Sequence, residues 1–136
     1  MNKLFKPNMD DALRQNIMGI KAAYELGGTE SFSGMTLDTL DRLIQEGFVD
    51  PEGSQNASPA SLQFRDFMDS FRAEGVTAHG YIVSPARDDY RLTIEGLEAR
   101  SPNREFRAAF ALAFADADEL DCDMEHDTAG QRCWYD

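Results

Sequence analysis

Residues 76–96, with the sequence VTAHGYIVSPARDDYRLTIEG, decide the fold class because their apolar residues alternate as in β-strands. The segment PARDD in their middle is typical of a turn. We therefore predict an antiparallel hairpin in which residues 77–84 pair with residues 90–95, and we expect Gly96 to end the second strand. The second strand has one apolar face, formed by Tyr90, Leu92 and Ile94.

Apolar residues at helical spacing lie on both sides of this hairpin and predict helices over 9–26, 36–47 and 58–75, with a fourth that begins at Ser101. Residues 29–35 are predicted to form a polar turn. The fold class is therefore expected to be α+β, with about four helices packed on a small antiparallel sheet centred on the 77–95 hairpin. The last two helices carry rows of phenylalanine that we interpret as core: Phe64, Phe67 and Phe71, then Phe106, Phe110 and Phe114.

The chain has 136 residues, and we expect a single domain over residues 1–136. Its 25 acidic and 13 basic residues give a formal net charge of −12. Phosphate backbones bind lysine and arginine, so this charge disfavours direct nucleic-acid binding and favours a basic protein partner. No apolar run is long enough for a membrane span, and the start MNKLFKP lacks the apolar part of a secretory signal. We expect a cytoplasmic protein without membrane contact.

The excess of acid is concentrated in residues 116–136, which hold eight acidic residues against a single base, Arg132. Two aromatic residues, Trp134 and Tyr135, lie near the end of this segment. Because large aromatic side chains are usually buried, we predict that the segment packs on the body of the domain. Carboxylates on a rigid surface attract a basic partner. The predicted partner-binding residues are Asp116, Asp118, Glu119, Asp121, Asp123, Glu125 and Asp127.

The same segment contains residue types that bind metal ions in other proteins. Alternate acids from Asp121 onward have the spacing of a calcium-binding loop, but His126 stands where such a loop needs glycine. Cys122, His126 and Cys133 could bind zinc, but the spacing C-x3-H-x6-C matches no zinc motif. We expect no metal and no cofactor. The two cysteines are expected to be reduced in a cytosol, and an oxidising environment would allow them to close one disulfide.

Two short stretches resemble winged-helix regulators. Residues 90–98, YRLTIEGLE, are similar to the Y-x-L-T-x-x-G that closes the wing of that family, and residues 40–49, LDRLIQEGFV, resemble the end of one of its helices. The resemblance implies a winged-helix architecture with residues 59–73 as the recognition helix, and DNA binding as an alternative function. The loop over residues 47–58 is longer than the corresponding turn of the family. The DNA-contacting residues would be Arg65, Arg72, Arg87 and Arg91.

A further alternative is an enzyme of unrecognised type, with His79, Tyr81 and nearby acids around a pocket. The sequence contains neither a recognisable nucleophile turn nor a glycine-rich phosphate loop. We therefore expect a non-enzymatic interaction protein. It would act as an inhibitor or nucleic-acid mimic whose carboxylates occupy a basic groove on a nucleic-acid-processing partner, and a phage-type anti-defence protein is one version of this hypothesis.

Overall fold

The computed structural model describes residues 5–20, 28–54, 58–100, 103–122 and 130–135. These residues contain four α-helices and five β-strands, so the predicted α+β class is confirmed. In chain order the elements are α1 (Asp11–Met18), β1 (Thr29–Met35), α2 (Leu37–Gln45), α3 (Ser61–Ser70), β2 (Thr77–Val83), β3 (Leu92–Ala99), α4 (Arg104–Ala113), β4 (Glu119–Cys122) and β5 (Gln131–Trp134).

The five strands form one antiparallel sheet in the order β1-β2-β3-β5-β4. The predicted hairpin is confirmed as β2 and β3, and β3 is the central strand. The expectation that Gly96 ends the second strand is wrong, because β3 continues to Ala99 and pairs there with β5. The strand passes Gly96 by a β-bulge in which Glu95 is the extra residue between two paired positions.

The segment predicted to be a polar turn, residues 29–35, is the edge strand β1. Its backbone pairs with β2, from Thr29 opposite Val83 to Met35 opposite Ala78. Most of its side chains are exposed, so the alternation that identifies a half-buried strand is nearly absent from its sequence.

The helices form at the predicted places with different ends. Helix α1 ends after Met18, because its C-cap Gly19 has a φ of 76°, the left-handed conformation that glycine adopts without steric cost. The predicted helix continued to residue 26, and for Gly19 and Ile20 this prediction is wrong. The remainder of that extension, residues 21–27, lies outside the described residues. Helix α3 begins after Ala60 rather than at Ser58.

Helix α4 begins at Arg104, with the Asn103 side chain accepting a hydrogen bond from the backbone N–H of Phe106 over 2.8 Å. The predicted start at Ser101 lies outside the described residues.

The core lies between the helices and one face of the sheet, and the phenylalanine rows meet there as predicted. The Phe64 and Phe114 rings stack with centroids 5.6 Å apart, which joins α3 to the end of α4. Phe106 and Phe110 are fully buried, whereas Phe67 is half-buried and lies with its ring against both.

β3, which contains most of residues 90–98, pairs with β2, and β5 pairs with it at Glu98 and Ala99. The hairpin that the winged-helix resemblance implies as a wing is therefore part of a five-stranded sheet, with β1 beside β2 and β5 beside β3. No helix in the described part of the chain is long and apolar enough to cross a bilayer.

Candidate functional site

The acidic segment begins directly after α4, and a core tyrosine holds its first carboxylate in place. The Tyr135 hydroxyl donates to Asp116 Oδ1 over 2.6 Å. Tyr135 itself is buried, and burial, followed by the bond to Asp116, raises the pKa of its hydroxyl above the ordinary value of 10.0. Asp116 is therefore an exposed residue with a fixed position.

Glu119 lies on the edge strand β4, opposite Trp134 of β5 and so on the same face of the sheet. Its side chain is 67% exposed, and Glu119 Oε2 is 3.9 Å from Arg132 Nη1. The Arg132 guanidinium also lies over the Trp134 ring, 4.3 Å from the ring centroid. Asp118, next to Glu119, is exposed.

Three of the predicted partner-binding residues, Asp116, Asp118 and Glu119, are exposed and close together in the chain, and we call these three residues the acidic surface. Asp121 is placed on β4, paired through its backbone with Arg132. The others lie outside the described residues: Asp123, Glu125 and Asp127.

Two of the arginines proposed to contact DNA, Arg65 on α3 and Arg72 just after its end, are bound to aspartates. Arg65 donates from Nε and Nη2 to the two carboxylate oxygens of Asp41 on α2, over 2.7 and 3.2 Å. Arg72 donates from Nε to Asp69 Oδ1 over 2.6 Å. Asp41, with Asp66, raises the pKa of Arg65 above its ordinary value.

The remaining two predicted DNA-contacting arginines share one aspartate in the turn before β3. Arg87 and Arg91 each approach Asp89 Oδ2 within 2.8 Å. Arg91, then Arg87, holds the pKa of the Asp89 carboxyl below its ordinary value. Arg91 also donates to the Tyr81 hydroxyl over 3.0 Å. All four candidate arginines therefore face a carboxylate where a phosphate would have to bind.

A polar cleft of about 360 Å³ lies on the face of the sheet opposite the core and contains His79. The His79 ring lies across Gly96 of β3, and its Nε2 is 2.9 Å from the carbonyl oxygen of Cys133 on β5. Because a carbonyl only accepts, Nε2 carries the proton and donates. The Trp134 indole packs against the ring and donates to Glu95 Oε2 over 3.2 Å. The sequence-based enzyme hypothesis grouped His79 with Tyr81, but Tyr81 lines a different cavity.

Burial lowers the pKa of His79 below its ordinary value of 6.5; the nearby Arg132 charge lowers it further, while the Cys133 carbonyl and Glu98 act against this. Below about pH 6.5 the unfolded chain binds a proton here that the folded chain does not. We expect the contribution of His79 to stability to be complete above pH 6.5 and to fall as the pH is lowered below it. An NMR titration of the imidazole in a His126→Gln variant measures this pKa, and a value at or above 6.5 would contradict the prediction.

A groove with a volume of about 1040 Å³ lies between the N-terminal segment and the start of β3. One wall contains Phe5 and Met9, both exposed, and another consists of residues 88–94. No local sequence pattern indicates this groove, because its walls come from parts of the chain that the fold brings together.

A buried arginine was also missed. Arg14 on α1 is 0% exposed, and its Nε donates to Asp11 Oδ1 over 2.7 Å. Its Nη1 donates to the carbonyl oxygen of Ile20 over 3.1 Å. The Tyr90 hydroxyl donates to the same Asp11 oxygen over 2.9 Å, which ties α1 to the segment that leads into β3. Burial, then the bond to Asp11, raises the pKa of Tyr90.

Cys133 is a free cysteine on the core side of β5. Burial raises the pKa of its thiol to about 12, so at neutral pH it is protonated and unreactive. Within the described ranges, no group of three or more histidine, cysteine, aspartate or glutamate side chains is placed to bind a metal ion. The stretch 123–129, on which the calcium and zinc alternatives depend, lies outside those ranges.

Comparisons of the chain with known protein families, with curated proteins and with solved structures find no match.

Proposed function

We propose that the chain is a non-enzymatic protein interaction module whose acidic surface binds a basic partner. The observation that carries the proposal is the pairing of arginines with aspartates: Arg65, Arg72, Arg87 and Arg91 each lie within 2.8 Å of a carboxylate oxygen. A phosphate approaching any of them would meet that carboxylate and be repelled. These aspartates neutralise the charge of the four arginines locally. The chain as a whole has a net charge of −12, which attracts a basic partner.

The acidic surface, Asp116, Asp118 and Glu119, is the best placed contact for such a partner. Its first carboxylate is positioned by Tyr135, so it is partly preorganised and loses less side-chain entropy on binding. On a nucleic-acid-binding partner, the groove that holds the phosphates is lined by closely spaced lysine and arginine side chains. Carboxylates held in fixed positions can bind there in place of the phosphates. Salt screens such contacts beyond a Debye length of about 8 Å, so the acids must touch the partner directly.

Capture from a native lysate with a tagged chain tests the proposal, with nuclease added to remove partners held through nucleic acid. We expect a basic nucleic-acid-binding protein to remain bound. The variant Asp116→Asn/Asp118→Lys/Glu119→Lys should weaken its binding at least about tenfold, because each close charge pair across an interface contributes strongly. The Asp116→Asn change keeps an oxygen acceptor for Tyr135. Titration of the purified partner against both chains measures the effect.

The matched control is Glu30→Lys/Glu46→Lys/Glu105→Gln, which changes the net charge equally at three other exposed positions. It should reduce affinity far less than the first variant. Equal loss in both variants would mean that only net charge matters and would contradict the proposed surface. Direct binding of duplex DNA that weakens with salt and depends on Arg87 or Arg91 would instead support the winged-helix alternative.

A further inference from the structure

A pocket of about 400 Å³ lies where the start of α3 meets the end of α4, and we call it the α3–α4 pocket. Its lining includes Gln63 and Phe67 of α3 and, at the end of α4, Ala113, Phe114 and Asp116. Gln63, Ala113 and Asp116 are exposed, so the pocket opens to solvent. Its volume is sufficient for one long side chain of a partner.

Two phenylalanine rings form the apolar part of the α3–α4 pocket. The centroids of the Phe67 and Phe114 rings are 5.0 Å apart, and the rings meet edge to face. Phe114 is buried, whereas Phe67 is half-buried and keeps part of its surface accessible. An aromatic surface of this kind attracts a cationic group and also packs against the methylene groups that carry it.

The polar part of the pocket is a carboxylate that has no cation beside it. Asp116 accepts the bond from the Tyr135 hydroxyl at Oδ1, which fixes its position. Among the described residues, no basic side chain forms an ion pair with Asp116. In contrast, the aspartates beside the candidate arginines, Asp41, Asp69 and Asp89, each bind an arginine of this chain. Asp116 is therefore available to the basic group of another molecule.

The end of α4 adds negative charge beside Asp116. The last carbonyl groups of a helix have no partner within it and carry a partial negative charge, and the last turn of α4 contains no basic residue. The start of α3 offers no competing anion site, because the N–H groups of Ser61 and Leu62 donate to the carbonyl oxygens of Gly53 and Pro51 over 2.9 and 2.8 Å. The pocket therefore favours a cation.

We propose that the α3–α4 pocket binds one arginine side chain of the basic partner; this rests on the proposed function. The guanidinium would donate to Asp116 and to carbonyl groups at the end of α4, while its flat face packs on the Phe67 ring. Arginine fits better than lysine because its planar head is more weakly hydrated and has five N–H donors. The arginine would anchor the partner at Asp116, the first residue of the acidic surface.

A capped Gly-Arg-Gly peptide is the probe, titrated at low salt into the ¹⁵N-labelled full chain. We expect saturable shifts of the Phe67, Ala113, Phe114 and Asp116 amides. The same peptide with citrulline has nearly the same shape without the charge, and it should bind at least about tenfold more weakly. A lysine peptide should also bind more weakly, and equal binding of the lysine peptide would overturn the assignment of arginine.

Removal of the carboxylate charge tests the polar part of the pocket. Asp116→Asn keeps an oxygen acceptor for Tyr135 and should weaken binding of the arginine peptide at least about tenfold. The matched control Glu105→Gln removes one charge from an exposed residue in the first turn of α4, outside the pocket lining, and should leave binding nearly unchanged. Equal loss in both variants would overturn the pocket.

An arginine supplied by the chain itself tests the position of the site. Ala113→Arg places a guanidinium at the pocket, where it can pair with Asp116, and should abolish binding of the peptide. The matched control Leu112→Arg adds the same charge at an 83% exposed position that does not line the pocket, and should weaken binding by no more than about twofold. Binding that persists in Ala113→Arg would overturn the pocket.

The outcomes separate this proposal from the proposed function. Absence of saturable shifts, or equal binding of the citrulline peptide, would overturn the pocket. If the affinity for the captured partner still depended on the acidic surface, the proposed function would stand. Arginine binding in the pocket without capture of any basic protein would contradict the proposed function and leave the pocket standing.

Discussion

Replacement of Arg14 by methionine is expected to lower the free energy of unfolding by about 3 to 5 kcal/mol, because it leaves the charge of a largely buried aspartate without its partner. The side chains of Arg14 and Asp11 are 1% and 11% exposed. The change also removes the bond from Arg14 to the Ile20 carbonyl and weakens the link between α1 and Tyr90, which shares the Asp11 oxygen. Urea unfolding of the two chains followed by circular dichroism measures the difference.

Two further variants identify the cause. Arg87→Met removes an arginine of similar size whose aspartate partner is exposed, and it should leave stability nearly unchanged because such pairs contribute little. Arg14→Met/Asp11→Asn removes both charges but keeps an oxygen that can accept from Tyr90, and it should recover part of the loss. A loss from Arg14→Met no larger than that from Arg87→Met would show that the buried pair does not hold α1 in place.

Gly96→Ala is expected to destabilise the fold by about 3 kcal/mol or more, above the usual cost of overpacking, because the new methyl group would meet main chain. A Cβ at this position would lie 1.9 Å from the carbonyl oxygen of Cys133 and 2.7 Å from His79 Nε2. The backbone of β5 cannot move aside while it stays paired with β3, so the hydrogen bond from His79 to Cys133 should be lost with the strand pairing. Urea unfolding and the chemical shifts of the β5 amides report both effects.

Gly130→Ala is the matched control, since Gly130 directly precedes β5. A Cβ there would lie 3.4 Å from the Ala99 carbonyl oxygen, which is close to an ordinary contact. We expect this variant to be near neutral, because alanine also restricts the unfolded chain. If Gly96→Ala unfolded at the same urea concentration as Gly130→Ala, the close crossing of β5 and His79 over Gly96 would be refuted.

The helices and the central hairpin could be predicted because their apolar residues repeat at the period of the element they form. Thr36, where the predicted helix 36–47 begins, caps α2, and its apolar residues Leu40 and Leu43 are fully buried. β1 could not be predicted in this way, since only Phe32 and Met35 of its residues are buried. Gly96 was misread because glycine usually weakens a strand, whereas here it permits the close approach of a neighbouring backbone.

The position of the acidic segment could be predicted from charge alone, but the pairing of the arginines with aspartates could not. The pairing of Arg65 with Asp41 joins residues 24 positions apart and depends on the packing of α2 against α3. Arg14 gave no signal either, because a charged residue in a short helix is expected to face solvent. The register of β5 against the end of β3 is likewise specified by no local pattern in residues 130–135.

The strand order has a consequence for biosynthesis. β4 precedes β5 in the chain, yet in the described sheet it is attached to β3 through β5. Residues 119–122 therefore have no strand to pair with in this sheet until residues 131–134 have left the ribosome, so this half of the sheet forms only after that point. The bond between His79 and Cys133 spans 54 positions and must wait for the same event. A nascent chain in which residues 131–134 are still inside the ribosome would leave Glu98 and Ala99 of β3 without β5, where chaperones or other unfinished chains can pair.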